Sequence, residues 1–499
     1  MALARQIFNI NGTWTAPAGV SRARVYAVPP SDYRITYSDA TVAAIMNDGT
    51  TWSWGLGSSG QLGNGSSTAA VSSPVQVVGG LSFQKVAAVN QSTYGLDVLG
   101  NLWGWGTNGF GNLGNNSVTA VSSPVLVVGN IKFTGLVQNP TMTYQNFYGL
   151  DNAGNLWGWG SGAQGQLGNG SSTAAVSSPV QVVGGLKFTQ FSAYITLNNT
   201  AVWAIDTSQN MWSWGLQFSG NLGQNNSTSS VSSPVQVVGG IKWQKVIGGA
   251  AVVIGLDTSG NVWTWGQYGG ANLNTVSSPV KIVGGIVAQN VFSGGISSAG
   301  GEHLFILDYS NNLWAWGSNL NGELGIGTTT SASSPVQVVG GIKWQSAVMI
   351  NAGNNYALGV DTSGNLWGWG SNAYGNLGNG TTTTVSSPVQ VVGGLKWSSS
   401  NIMGDGTSIG VTVDGMIYGW GQNSSGQLGS NTAGGTSTSS PVQVVGGKLS
   451  NFQAIPSAFT FDVTPGVSYS VTVNPGLYSY FGTNPLRAFT SQVIVEYEQ

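Results

Sequence analysis

Short runs of Val, Ile, Leu and aromatic residues alternate along most of the chain with clusters of Gly, Asn, Ser and Thr, the pattern of brief strands joined by tight turns. No stretch carries helical periodicity. One unit reads as four strands: Trp243 to Ile247, Val252 to Asp257, Val262 to Trp265 after a turn through Thr258-Ser259-Gly260-Asn261, and Pro279 to Val283. This unit recurs. Trp-x-Trp-Gly stands at Trp52, Trp103, Trp157, Trp212, Trp263, Trp314 and Trp367, with an eighth copy at Tyr418-Gly419-Trp420-Gly421, at spacings of 51 to 55 residues. Copies lead into variants of Gly-x-Leu-Gly, such as Gly60-Gln61-Leu62-Gly63, and then into Ser-Ser-Pro-Val, which occurs eight times between Ser72 and Val442.

Eight four-stranded units suit radial repetition better than one flat sheet of 32 strands, because a ring leaves only short, protected edges. The sequence therefore predicts an all-β propeller. Trp52, Trp54, Trp103, Trp105, Trp157, Trp159, Trp212, Trp214, Trp263, Trp265, Trp314, Trp316, Trp367, Trp369 and Trp420 are read as structural, one ring of each pair packing between blades and the other on the opposite face of its sheet. Asp-x-x-Gly-Asn, as at Asp151 to Asn155 and Asp361 to Asn365, is read as a hairpin loop in which Gly takes positive φ and Asp binds nearby backbone.

Leu-Trp-Gly-Trp-Gly, Gly-Gln-Leu-Gly-Asn-Gly and Ser-Ser-Pro-Val-Gln-Val at this spacing resemble the repeats of the regulator of chromosome condensation family, which implies that family's β-propeller over residues 31–455. The family's best-known ring has seven blades, so eight motifs leave two counts open: eight blades, or seven and an atypical unit. The nuclear activity the resemblance brings with it, exchange on a small GTPase with chromatin binding, needs a basic tail and specialised charged surfaces that this sequence lacks.

Residues 1–30 and 456–499 differ in texture and are read as the two parts of one small β-domain into which the propeller is inserted. Gly12-Thr13-Trp14-Thr15-Ala16-Pro17-Ala18-Gly19-Val20, with Pro465 to Val473 and Ser491 to Tyr497, resembles small β-domains of bacteriophage tail-fibre proteins. The alternative is that an end strand completes the last blade, since Asn451 to Val463 looks like the first half of another repeat.

Composition narrows the function. Only 6% of the 499 residues are charged, against about 25% in ordinary domains. With 14 Lys and Arg against 16 Asp and Glu, the chain lacks the basic footprint that nucleic acid requires. Zero Cys removes thiolate chemistry and sulfur-ligated metals. Neither an apolar leader before Asn9 nor an 18-residue apolar span is present, so neither a cleaved signal nor membrane insertion is expected. Asn64-Gly65-Ser66 and Asn379-Gly380-Thr381 match glycosylation sequons and are read as turns.

No catalytic or metal constellation emerges, and no cofactor is expected. His303 is the sole histidine, read as a loop or blade-edge hydrogen-bonding group. Asp405, Asp414 and Glu323 are the carboxylates available for a glycosidase pair, but Asp414 occupies a hairpin position and Glu323 replaces Gln in Gly-x-Leu-Gly. The ligand-binding candidates are Phe110, Phe218, Tyr268 and Tyr374, aromatics in the variable loop before that motif, where they can stack on sugar rings or fill gaps between blades. The expected function is that of a non-enzymatic bacteriophage virion protein, a tail-fibre or receptor-binding component displaying its propeller for host-surface glycan or protein. Its terminal domain would join other virion proteins, with homo-oligomerisation. The alternatives are a bacterial cell-surface adhesion or interaction scaffold and, less favoured, a GTPase exchange factor.

Overall fold

The computed structural model describes residues 35–448 apart from 39, 47, 90, 137–145, 196–199, 227–228, 250–251, 269–273, 283, 295–301, 346–350, 354, 404–405 and 433. Beyond these limits it describes the backbone of eight strands between residues 3 and 498. Two units are present, Met1–Tyr33 with Asn451–Gln499, and Arg34–Ser450.

The larger unit is an eight-bladed propeller. Its blades occupy residues 35–76, 83–126, 133–181, 188–236, 243–281, 288–337, 351–390 and 397–448, each a four-stranded antiparallel meander in sequence order. One parallel bridge, Gly294 to Ala352, links blades 6 and 7. The count of eight settles the choice the sequence left open, and blades 1 and 8 each close with four strands of their own. The half-repeat at Asn451 to Val463 completes neither: its strand Phe459–Asp462 pairs with Arg22 to Val25, and residues 451–458 lie outside the described residues.

In blade 5 the fourth strand is longer than its apolar residues suggest, Asn274–Lys281 rather than Pro279 to Val283. The cause is a bulge. In blade 1 Ser53 pairs with Val75 and Gly55 with Val71, so Ser72-Ser73-Pro74 bows out opposite Trp54, and the proline sits where no ladder amide is needed.

The tryptophan pairs depart from the expected arrangement. Residues i and i+2 of a strand share a face, and both rings of a pair lie together: Trp243 in the first strand of blade 5 packs against Trp263 at 6.3 Å and Trp265 at 5.6 Å. They differ in depth instead. The second ring is buried against the preceding blade, while the first is half-buried beside the hairpin.

In the smaller unit, strands from both chain ends interleave. Gln492–Glu498 pairs with Leu3–Phe8 on one side and Arg22–Val28 on the other, and Gly12–Thr15 pairs with Ser468–Val473 in a second sheet.

Candidate binding surfaces

A four-stranded meander has two ends, and the sequence makes them chemically different. At one end lie the hairpins between second and third strands and the connections to the next blade. The hairpin Asp of blade 5, Asp257, accepts from the amides of Ser259 (2.9 Å) and Asn261 (2.8 Å) on Oδ1, and from Asn261 Nδ2 (2.8 Å) and Trp263 Nε1 (2.9 Å) on Oδ2. Gly260, at φ +80°, makes the turn possible. Asp97, Asp151, Asp206, Asp308 and Asp361 are held in the same way. Burial works against ionisation at these six carboxyls, yet the Asn, Trp and backbone donors together outweigh it and hold each below the usual carboxylate range.

In five of these turns the Asn receives a second partner, a lysine from the next blade. Lys242 Nζ donates to Asn210 Oδ1 (2.8 Å), Lys343 to Asn312 (2.6 Å) and Lys396 to Asn365 (2.8 Å), with Lys132 and Lys187 placed alike. This end therefore carries a lysine–asparagine hydrogen-bond network, with exposed apolar residues such as Val98 and Leu99 between its members.

At the opposite end, the long loop between third and fourth strands reaches across to the following blade. Gly-x-Leu-Gly is the part that makes contact. The carbonyl of Gln61 accepts Trp105 Nε1 of blade 2 at 2.9 Å, Gly65 N donates to Ser122 O at 2.8 Å, and a Cβ on Gly63 would stand 2.6 Å from the Trp105 indole nitrogen. The same clasp closes the ring: Trp54 Nε1 donates to Gln427 O of blade 8 at 3.0 Å and Asn431 N to Ser72 O at 2.8 Å. Gly-x-Leu-Gly, read in the sequence only as a repeat marker, is thus the seam between blades.

The loop candidates fall on this end but do not converge. Phe110 in blade 2 is 39% exposed and Tyr374 in blade 7 is 48% exposed, the latter lying against the turn at Gly406 of blade 8, where an added Cβ would meet its Cδ2 at 2.7 Å. Phe218 is half-buried in blade 4, and the side chain of Tyr268 lies outside the described residues. Sequence reasoning passed over Leu320, at the Phe218 position in blade 6, which is 78% exposed. Its signal was a large apolar residue where other copies carry Ser, Gly or Ala.

The carboxylates are not paired. Glu323 is buried within its own loop, accepting Ser318 Oγ (3.1 Å) and Asn321 N (2.7 Å), while Asp414 sits in the blade 8 hairpin with Thr412, and Asp405 lies outside the described residues. His303 is buried in the second strand of blade 6, edge-on to Phe305 at 5.7 Å. Beside it, Glu302 Oε2 accepts Val252 N of blade 5 at 3.0 Å. Among the described residues no three His, Asp or Glu gather as a metal site, and no helix is long and apolar enough to cross a membrane. At Asn64 and Asn379 the side-chain Oδ1 accepts the amide two residues on, at 3.2 Å in both, the hydrogen bond of an Asx turn.

Two lysines are spent on structure. Lys85 Nζ donates to Thr134 O of blade 3 (2.8 Å) and Lys245 Nζ to Asn290 Oδ1 of blade 6 (2.6 Å), and burial lowers each ammonium to about 8.

Comparison with known proteins agrees with this geometry. The regulator of chromosome condensation (RCC1) repeat matches residues 48–96, 153–193, 310–360, 363–401 and 414–456, and a second model of that repeat matches 348–376. The E3 ubiquitin-protein ligase HERC2 of Homo sapiens is 26% identical over 330 residues, covering 63% of this chain and 7% of the ligase. The ultraviolet-B receptor UVR8 of Arabidopsis thaliana is 28% identical over 294 residues, covering 57% of this chain and 64% of the receptor. The chain thus spans less than two thirds of either relative. Among solved structures, human WBSCR16 superposes with a TM-score of 0.50 at 19% identity, over 65% of this chain and 95% of that one. Prp20p of Saccharomyces cerevisiae gives 0.50 at 16%, over 76% and 88%. These two likenesses concern the fold alone. Repeats, clasps and blade count converge: the chain is an eight-bladed propeller, five stretches of which match the RCC1 repeat.

Proposed function

We propose that the propeller is a non-enzymatic recognition scaffold, and that the chain is a bacteriophage virion component which presents it to a host-surface glycan or protein. One observation carries the scaffold reading: loop tips bearing exposed Phe110, Leu320 and Tyr374 stand on a ring locked by inter-blade clasps. Rigid support lowers the ordering cost of binding, and large apolar side chains on such loops supply contact area. Titratable groups nearby are buried in structural hydrogen bonds, as Glu323 is.

The virion reading is supported by the tail-fibre-like end motifs and by the polar, low-charge composition. On this reading the terminal unit joins other virion proteins, and the chain assembles as a homo-oligomer. The test is adsorption to host cells by the full chain, with Phe110→Ser, Leu320→Ser and Tyr374→Ser combined as the variant. Binding that competes with adsorption and is lost in the variant supports the reading; absence of binding by the wild type removes recognition and leaves a passive decoration role. A bacterial cell-surface scaffold would bind a partner without affecting adsorption. Exchange on a GTPase, suggested by Prp20p, for which binding to Gsp1p and histones is described, predicts accelerated GDP release, which the recognition reading does not.

A further inference from the structure

The hairpin end separates its charges by depth. Asp97, Asp151, Asp206, Asp257 and Asp361 are buried and filled by donors, as Asp206 is by Ser208 N, Asn210 N, Asn210 Nδ2 and Trp212 Nε1. The ammoniums above them are at the surface, with Lys187, Lys242, Lys343 and Lys396 exposed. Neutral groups hold them in place. Lys242 Nζ donates to Ser208 O (2.9 Å) and Asn210 Oδ1 (2.8 Å), and Lys343 and Lys396 bond Ser310 with Asn312 and Ser363 with Asn365 in the same way. An ammonium has three donors, so each of these three keeps one N–H for a group outside the ring.

The seam position that carries these lysines is Ser82 in blade 2, Lys132, Lys187 and Lys242 in blades 3 to 5, Val287 in blade 6, and Lys343 and Lys396 in blades 7 and 8. Lysines on three successive blades thus form an arc, and apolar side chains bound it on both sides. On one side are Val98 and Leu99, 66% and 71% exposed, in the hairpin that Lys132 meets through Asn101. Leu126 lies with them, opposite Trp103, where the seven other blades carry Gln or Lys. On the other side are Val287, beside the Gly260 turn, and Tyr309 in the hairpin of blade 6, 51% and 60% exposed. Asp48 and Asp414, the exposed hairpin carboxylates among the described residues, stand in blades 1 and 8, outside the arc. At the opposite end Glu302 and Glu323 are buried, so among the described residues a second copy offers no row of carboxylates to match.

We propose that this arc, from blade 2 to blade 6, is a docking surface for an acidic polypeptide segment. Its carboxylates take the lysine N–H groups, and its flanking apolar side chains cover Val98, Leu99 and Leu126 at one end and Val287 and Tyr309 at the other. Charge in sum nearly balances here, but a partner meets the ammoniums first, because the aspartates lie beneath them. Complementary charge selects the partner. The apolar flanks select a polypeptide over an acidic polysaccharide, which has no such side chains to bury. The lysines are already ordered by their Asn and Ser acceptors, so less side-chain entropy is lost on binding. This surface is at the other end of the blades from Phe110, Leu320 and Tyr374, and either reading can fail alone.

The probe is a fluorescein-labelled twenty-residue peptide of alternating Glu and Gly with two leucines at each end, roughly 70 Å long when extended. It is titrated into the full-length protein at low salt and followed by anisotropy. Expected is saturable binding that weakens as salt rises and is absent for the same peptide with Gln in place of Glu. Lys132→Gln, Lys187→Gln and Lys242→Gln combined should weaken it about tenfold or more, Arg at the same three positions should retain it, and Val98→Ser with Leu99→Ser should weaken it about fivefold. Lys343→Gln with Lys396→Gln, which removes the same seam bonds outside the arc, should change it less than about twofold. The salt dependence and the Val98→Ser, Leu99→Ser variant keep the test independent of how the triple variant folds. No saturation up to roughly 1 mM peptide, equal affinity in the triple Gln variant, or an equal loss in Lys343→Gln with Lys396→Gln would each overturn the proposal. So would competition by polygalacturonate as strong as that by unlabelled peptide with no effect of the two serines, which would assign the arc to polyanions in general. Dimerisation of the chain abolished by the triple variant would assign it to a second copy and overturn it likewise.

Discussion

The same substitution at two adjacent blades isolates the energy of the clasp. Trp369 and Trp316 occupy equivalent positions, at 0% and 1% exposure, but Trp369 Nε1 donates to Glu323 O at 2.9 Å and Trp316 Nε1 has no such acceptor among the described residues. Phenylalanine at either site removes the indole N–H and part of the ring volume. The packing loss, about 1–3 kcal/mol, is common to both. Loss of the hydrogen bond adds about 1–2 kcal/mol in Trp369→Phe, because a buried carbonyl is left short of a donor. In Trp316→Phe the term reverses, since an unpartnered buried donor disappears and about 1–2 kcal/mol of desolvation is recovered. The two variants should therefore differ by about 2–4 kcal/mol, with Trp316→Phe the more stable. At the entropy of unfolding for a ring of this size, roughly 1 °C per kcal/mol, Trp369→Phe melts about 2–4 °C below Trp316→Phe. Calorimetry together with urea midpoints at equal m-value measures the difference. Equal destabilisation of the two would refute the reasoning, by showing that the clasp hydrogen bond carries no net weight or that Trp316 finds a partner.

Two pH effects follow from the buried ionisable groups. The hairpin aspartates have folded-state pKa values below their unfolded values, so their contribution is complete above the ordinary carboxylate value and is lost as pH falls through and below about 4. The melting temperature should be flat from neutrality to about pH 5 and drop steeply below about pH 4, while Asp257→Ala costs about 2 kcal/mol at pH 7 and flattens part of the acid slope. Lys85 acts in the same direction at the alkaline end: burial lowers its folded value to about 8, below the usual lysine value of about 10.4, because its charged form is disfavoured on folding. Stability should rise between about pH 8 and pH 10, and Lys85→Met should shrink that rise; denaturant midpoints across the range decide it, and an unchanged slope in the variant would assign the effect elsewhere.

Much of the fold was legible because the repeat punctuates itself. Asp marks each hairpin, and Trp-x-Trp, or Tyr-x-Trp in the eighth copy, marks each third strand, so strand order follows from spacing, whereas the blade count needed the strand pairing of the last unit. What spacing does not show is the partner of a loop. Gln61 and Trp105 are 44 residues apart and belong to different blades, and a motif dominated by glycine reads as a turn until the indole it meets is seen. The tryptophan pairs were misassigned for another reason: one ring is buried and the other half-exposed, which resembles two faces of a sheet but is depth along one face. For the loop aromatics, residue type identified Phe110 and Tyr374 as large loop residues but carried no information on exposure, which also depends on the turn of the next blade.

The unit that recurs in the sequence is the seam rather than the blade. The repeat match at 48–96 begins in the hairpin of blade 1 and ends in the second strand of blade 2, and the match at 310–360 runs likewise from blade 6 into blade 7. Each such segment carries the third strand with its tryptophans, the clasp that crosses to the next blade, and the first two strands of the blade it crosses to. A repeat defined this way specifies a neighbour contact within itself, so a ring forms by iterating one contact, and closure needs only that the loop of blade 8 find Trp54 as each earlier loop finds its own tryptophan. The same logic accounts for the exception. Residues 97–152 and 194–309 carry no match to the repeat; the first includes a nine-residue connection at 137–145, and the second includes the shortened loop of blade 5. In the first the clasp survives, with Asn112 O accepting Trp159 Nε1 at 2.6 Å, because only the turn between first and second strands has grown. In the second the connection at 269–273 lies outside the described residues, blades 5 and 6 share a bond from Val252 N to Glu302, and the Trp316 indole has no acceptor among the described residues.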